Sequence, residues 1–338
     1  MIIVMKRGAS RASVDAVVAK LESLGSDGHV SHGQFRTVIG AIGDRSIIQQ
    51  VPWEAFEGVE RAVPVLDSFK FVSREFQPDD SVIEVRGVAI GRDDQFVVVA
   101  GPCAVESRDQ LFRTAEAVKR SGARVLRGDA FKPRTSPYSF QGLGEEALQL
   151  LDEARSTFDM PFVAEVLDPR DVELVSSYAD ILRVGTRNMS NFTLLQEVGR
   201  QSKPVQLKRG FTATIQEWLN AAEYIFKEGN HQVIMVERGI RTFENSARNT
   251  LDITAVPVLK AMSHLPVMVD PSHSGGKRHL VAPLARAAAA VGADGMMVDV
   301  HPEPDEALVD GEQALPPDEF AELMQSVEAV AAAVGRSI

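Results

Sequence analysis

The stretch Val97-Val-Val-Ala-Gly-Pro-Cys-Ala-Val-Glu106 decides how the chain is read. Phe96 to Ala100 is a short, Val-rich apolar run closed by Gly101 and Pro102, the pattern of a strand buried on both faces. The only cysteine, Cys103, follows directly. Seven more such runs come later, at 124–127, 162–165, 180–184, 205–208, 233–237, 267–270 and 296–300. Each is trailed by helical periodicity, as over Asp109–Ser121 and Thr214–Glu228, and polar or charged residues gather at the run ends. Eight β/α units specify an α/β fold, a closed (β/α)8 TIM barrel, whose chemistry sits at the C-terminal ends of the strands. Leu280–Val291, nearly all Ala, Leu and Val, is expected to be a well-covered outer helix, and Pro317–Val334 closes the ring.

Residues 1–66 read as a separate unit. Ile2–Met5 is a strand, and Ser10 caps a helix over Arg11–Leu24 with Val14, Val17, Val18 and Leu21 on one face. A hairpin turns around Gly33, Pro52 opens a second helix, and Val59–Leu66 is the last strand. The order βαββαβ is that of a ferredoxin-like α+β domain. Residues 67–92 are a linker and a β-hairpin turning at Gly87, expected to cap the barrel's lower mouth; 93–338 form the barrel.

The 338 residues carry 36 Lys and Arg against 47 Asp and Glu, a net charge of −11, which argues against a nucleic-acid surface. One cysteine permits no intrachain disulfide. No signal-peptide pattern opens the chain and no apolar stretch reaches membrane-spanning length, so a soluble, cytoplasmic protein with no membrane partner is expected.

Two chemical subsets stand at the strand ends. Arg127, Lys132, Arg134, Arg187, Lys208, Arg209 and Arg238 converge on one small volume of an acidic protein. Phosphate gives that repulsion a reason, because guanidinium binds it bidentately and ammonium as a point charge. Solvated loop charges are the alternative, and barrel geometry weighs against it. Cys103, His273, Asp299 and Asp310, with His301 nearby, offer a mixed sulfur, nitrogen and oxygen donor set for a divalent metal.

These residues lie in motifs that resemble those of 3-deoxy-D-arabino-heptulosonate-7-phosphate (DAHP) synthases carrying an N-terminal ferredoxin-like domain. They are Ala100-Gly-Pro-Cys103-Ala-Val-Glu106, Lys132-Pro-Arg134-Thr135-Ser136-Pro137, Arg187-Asn188, Lys208-Arg209-Gly210, Glu237-Arg238-Gly-Ile-Arg241, Asp270-Pro-Ser-His273 and His301-Pro-Glu-Pro304. The resemblance implies an aldol-like condensation of phosphoenolpyruvate with erythrose 4-phosphate, the first step of the shikimate pathway. It implies that Arg127, Lys132, Arg187, Lys208 and Arg238 hold phosphoenolpyruvate, and that Arg134, Thr135 and Ser136 cradle the acceptor phosphate. Cys103, His273, Asp299 and Asp310 fall on the metal-ligand positions, for Mn²⁺, Co²⁺, Zn²⁺ or a similar ion, and Glu165 near the attacking water. Lys132, Glu165 and His273 are thereby the expected catalytic residues. The related 3-deoxy-D-manno-octulosonate-8-phosphate synthases are the alternative, but their second loop resembles Lys-Ala-Asn-Arg where this chain has Lys132-Pro133-Arg134. A weakly active or regulatory paralogue is a further alternative.

The chain departs from the family pattern at Asp299 (usually Glu), Asp129 (usually Gly), Arg183 (usually Gln) and Thr186 (usually Ala). The resemblance also implies a homotetramer inhibited by tyrosine or phenylalanine through the N-terminal domain. His29 and Ser31 are the expected allosteric contacts.

Overall fold

A computed structural model describes the chain apart from residues 33–35, 64–67 and 135. The described residues form two units: Met1–Asp80 with Ala261–His264, and Ser81–Lys260 with Leu265–Ile338.

The first unit runs β1 (Ile2–Met5), α1 (Arg11–Ser23), β2 (Asp27–His32), β3 (Thr37–Ile42), α2 (Arg45–Ile48) and β4 (Val59–Val63). Its strands lie in the order β2-β3-β1-β4, all pairs antiparallel, which is the ferredoxin-like arrangement. Ser10 caps α1 by accepting from the Ser13 backbone N–H at 3.1 Å, and Val14, Val17 and Leu21 face the core. The second helix differs from expectation. Pro52 opens only one 3₁₀ turn, Trp53–Ala55, while α2 is a single turn before it. The buried Trp53 indole donates to the Ile48 carbonyl at 2.9 Å and pins this segment with no long helix. The turn around Gly33 and the end of the last expected strand, at Leu66, lie outside the described residues.

The second unit begins with the hairpin β5 (Ile83–Val85) and β6 (Val88–Ile90). The barrel strands follow: β7 (Val97–Gly101), β8 (Val125–Arg127), β9 (Phe162–Val166), β10 (Ile181–Val184), β11 (Val205–Lys208), β12 (Val233–Glu237), β13 (Val267–Val269) and β14 (Gly295–Asp299). They close in sequence order, with β14 pairing β7, and each end falls within one residue of expectation. Between and after them run α3 (Arg108–Arg120), α4 (Glu145–Phe158), α5 (Val172–Tyr178), α6 (Phe192–Gly199), α7 (Ile215–Lys227), α8 (Ala255–Met262), α9 (Pro271–Gly275), α10 (Arg278–Ala290) and α11 (Pro317–Ala333). Contrary to expectation, α10 is covered only along one stripe, Val281, Ala285, Ala288 and Ala289. Its other short side chains stay near solvent, where alanine costs little and favours the helix. Among the described residues no helix is long and apolar enough to cross a membrane.

Side chains along a strand alternate between faces, so interior positions recur every two residues. At the lower end these are Val97, Val99, Val125, Val163, Ile181, Ile234, Val236, Met268 and Met297, packed with Ile83, Val85, Val88 and Ile90 of the hairpin. The hairpin packs its apolar side chains against this layer. One step up on the same strands, the positions become Arg127, Glu165, Arg183, Asp270 and Asp299, all buried.

Candidate active site

The metal candidates assemble at three adjacent strands, β13, β14 and β7. Cys103 follows β7, His273 sits in α9 just after β13, and Asp299 ends β14. Their ligand atoms lie within 4.8 Å of one another. Asp310 joins from the loop after β14: its Oδ2 accepts from Cys103 Sγ at 3.2 Å and lies 3.5 Å from His273 Nε2. Asp310 has φ of +54°, a left-handed conformation that Asp tolerates better than most residues. Burial alone would raise its carboxyl, yet His273 and Arg248 hold it well below the usual carboxylate range.

Asp270 caps α9 and faces His273 Nδ1 at 2.9 Å, which turns Nε2 toward Cys103 Sγ, 3.7 Å away. A carboxylate behind a histidine fixes the ring in this way at many metal sites. Burial would depress the His273 imidazole, but Asp270 and Asp299 outweigh it and push it up to about 10. A ligating imidazole must release its Nε2 proton before that nitrogen can bind an ion. Asp299 accepts from Arg127 Nη1 and, at 3.1 Å, from Gln313 Nε2. One thiol, one imidazole and two carboxylates at this spacing fit a divalent transition metal.

Beside this cluster a cavity of about 300 Å³ is lined by Lys132, Arg134, Ser136, Glu165, Thr186, Arg187, Lys208, Arg238, Arg248, His273 and Asp310. Six of these are Lys or Arg, the composition expected around bound anions. Arg187 and Arg238 pack over the Phe211 ring, 5.5 and 5.0 Å from its centroid. Burial pulls Arg238 down to about 10. Lys208 donates to Asp270 at 2.6 Å and is also lowered, chiefly by burial. Lys132 goes the other way: burial opposes its charge, but Asp129, Cys103 and Glu165 raise it. The Glu165 carboxylate lies against Gly185, where any Cβ would collide with it.

Not every expected residue enters this space. Arg127 is buried beneath it, donating to the Cys103 carbonyl at 3.1 Å and pairing with Asp299 and Asp129. Arg209 turns outward into Glu237 and Asp252, 2.9 and 2.8 Å away, and serves the scaffold. His301 accepts from the Glu303 backbone at Nδ1 and faces Glu106 at 3.3 Å, fastening the loop that leads to Asp310. Thr135 lies outside the described residues. His29 and Ser31 stand on β2 of the first unit, opposite Gly40 and Val38, with His29 edge-on to Phe71 at 4.8 Å.

Sequence reasoning gave no role to Asp270, Gln313 or Arg248. Asp270 was discoverable, since Asp-Pro-Ser-His places an N-cap three residues before its histidine. Gln313 and Arg248 come from loops whose paths no local pattern specifies. Asp129, unexpected beside anions, is entirely buried and paired with Arg127, Lys132 and Arg183.

Residues 72–334 match the DAHP synthetase I family, and residues 1–67 the DAHP synthase ferredoxin-like domain. The chain belongs to the DAHP synthetase I family. It is 52% identical, over 99% of both chains, to phospho-2-dehydro-3-deoxyheptonate aldolase of Thermotoga maritima. A crystal structure of that enzyme class from Thermotoga maritima superimposes with a TM-score of 0.80 at 51% identity, covering 99% of this chain and 98% of the other. A 2-dehydro-3-deoxyphosphooctonate aldolase of Syntrophobacter fumaroxidans is 32% identical over 72% of this chain and 90% of its own length. The family thus spans the barrel and the site described, and of these two relatives the heptonate one matches nearly the whole chain.

Proposed function

We infer that the protein condenses phosphoenolpyruvate with erythrose 4-phosphate, giving DAHP and inorganic phosphate. The observation that carries this is the cation-lined cavity set against the Cys103, His273, Asp299 and Asp310 cluster in a chain of this family. Cys103, His273, Asp299 and Asp310 would hold a divalent ion, which would supply Lewis acidity. Arg187, Lys208 and Arg238 hold the phosphate and carboxylate of phosphoenolpyruvate, with Arg127 supporting them from below. Arg134 and Ser136 hold the acceptor phosphate, and Lys132 stands between the two substrates. So clamped, C3 of phosphoenolpyruvate forms the new bond to the aldehyde carbon and the aldehyde oxygen takes up a proton. Glu165 orients a water that adds to C2, and the C2–O bond to phosphate then breaks. Positioning of two anions supplies much of the rate, and fixed cations around the leaving phosphate supply the electrostatic share.

The acceptor reading rests on the match to the heptonate relative over 99% of the chain at 52% identity, against 72% of the chain at 32% identity for the octulosonate one. Mass analysis of the product tests it. A seven-carbon sugar acid phosphate is expected, and an eight-carbon product formed from arabinose 5-phosphate alone would reverse the assignment.

The ferredoxin-like unit is proposed to bind tyrosine or phenylalanine, with His29 and Ser31 as contacts, within a homotetramer. An inhibitor must bind a less active arrangement better than the active one, and 5- to 150-fold inhibition needs a coupling of about 1–3 kcal/mol. Inhibition that His29→Ala weakens while leaving uninhibited turnover intact is expected. A full-length enzyme indifferent to both amino acids would refute this role.

A further inference from the structure

Asp129 and Arg183 pose a problem that the proposed chemistry leaves open. Both are fully buried under the cavity, and neither lines it. The Asp129 carboxylate is saturated by donors. Its Oδ2 accepts from Lys132 Nζ at 2.7 Å and Arg127 Nη2 at 3.3 Å. Its Oδ1 accepts from Arg183 Nη2 and from the Glu165 backbone N–H at 3.2 Å.

Lys132 is the group at stake. Its ammonium has three donors, directed at Asp129, the Cys103 carbonyl at 3.2 Å and Cys103 Sγ at 3.1 Å. An anionic substrate must therefore compete with Asp129 for Lys132. In a buried site that competition is strong, because low dielectric magnifies it. Arg183 has no other strong partner to justify its burial. Its Nε has no hydrogen-bond partner among the described residues, Nη1 reaches only Met297 Sδ at 3.6 Å, and Glu165 is 3.6 Å from Nη2. Burying a guanidinium is costly unless its charge is used.

We propose that Arg183 is a positioning residue that neutralises Asp129, so that Lys132 remains available to the anionic substrate. The pair is then mutually dependent. Without Arg183 the aspartate captures Lys132; without the aspartate, Arg183 has nothing to neutralise. Because this rests on the assignment of Lys132 to phosphoenolpyruvate, the test carries a control for that assignment.

The experiment uses full-length, metal-supplied protein and compares Arg183→Gln, Arg183→Lys, the double variant Asp129→Asn with Arg183→Gln, and Lys132→Met. KM for both substrates, kcat and direct phosphoenolpyruvate binding by calorimetry are measured. Arg183→Gln is expected to weaken phosphoenolpyruvate roughly tenfold, the scale of one charge-assisted contact, with kcat within about twofold. Arg183→Lys should restore most of that loss, and the double variant should return to within about threefold of the parent. A loss of kcat with unchanged KM would mean that Arg183 acts through Glu165 and would overturn the proposal. So would a double variant no better than Arg183→Gln. If Arg183→Gln does not fold, the double variant decides alone: near-parental affinity supports the pair, and tenfold weaker affinity refutes it. If Lys132→Met leaves phosphoenolpyruvate binding unchanged, the Lys132 assignment falls and the proposal with it. If Lys132→Met weakens binding and Arg183→Gln does not, only the pairing fails.

Discussion

The two ends of the barrel are built on the same eight strands and have opposite interiors. Below, Val99, Val163, Ile181, Val236 and Met297 pack against the hairpin with no charged side chain among them. Above, Arg127, Glu165, Arg183, Lys208, Asp270 and Asp299 fill the next positions and are buried too. Two residues along a strand separate Ile181 from Arg183 and Met297 from Asp299. Burial therefore does not distinguish the ends; the partner does. An apolar layer gains by leaving water, whereas a charged layer is held only by reciprocal pairs and is maintained for what it binds. The lower end should tolerate no loss of volume and be silent in catalysis. The upper end should tolerate little change in charge, because breaking one of its buried pairs leaves an uncompensated charge.

The largest expected effect lies at the upper end. Removing divalent metal with a chelator, or replacing Cys103 by Ala, should abolish turnover, and Mn²⁺ or Co²⁺ should restore it in the chelated parent. Full turnover after complete chelation would show that the four-residue cluster is not a functional metal site. Next comes the lower end. Ile181→Ala should cost about 2–5 kcal/mol in urea unfolding by opening a cavity, while KM for both substrates stays at the parental value. A changed KM would mean that the layers are coupled rather than separable.

Arg134→Ala inverts that pattern. Loss of one charge-assisted bond, about 1.5–3 kcal/mol, should raise KM for erythrose 4-phosphate by one to two orders of magnitude. KM for phosphoenolpyruvate and the melting temperature should barely move. Equal effects on both substrates would dissolve the division of the cavity into two subsites. The smallest effect is expected at Asp299, whose side chain is one methylene shorter than glutamate and is held by Arg127 and Gln313. Asp299→Glu should bind metal at least as tightly as the parent in a competition titration. Weaker binding would show that this pocket is shaped around aspartate.

The sequence made the barrel legible because each strand is a short apolar run bounded by turn residues, and the strand ends fell within one residue. It also made the candidate donor cluster legible, since Cys103, His273 and Asp299 each follow or end a strand and strand order alone brings them together. What it hid depends on side-chain direction. Arg209 sits one residue beyond Lys208, and strand alternation sends it outward to Glu237 and Asp252 instead of into the cavity. Asp129 read only as a departure from the family pattern, because its counter-charge Arg183 is 54 residues away and adjacent only in the folded barrel. The second helix of the N-terminal unit failed for a local reason: the anchor of Trp53 on Ile48 replaces helical hydrogen bonding, and a proline start signal does not reveal that.

The most direct test of the central claim is phosphate release from phosphoenolpyruvate by the metal-supplied enzyme, with erythrose 4-phosphate or arabinose 5-phosphate as acceptor. The account predicts rapid release with erythrose 4-phosphate, little with arabinose 5-phosphate, and none with either after chelation. Release that prefers arabinose 5-phosphate, or no release with any aldose phosphate under any divalent metal, would contradict it.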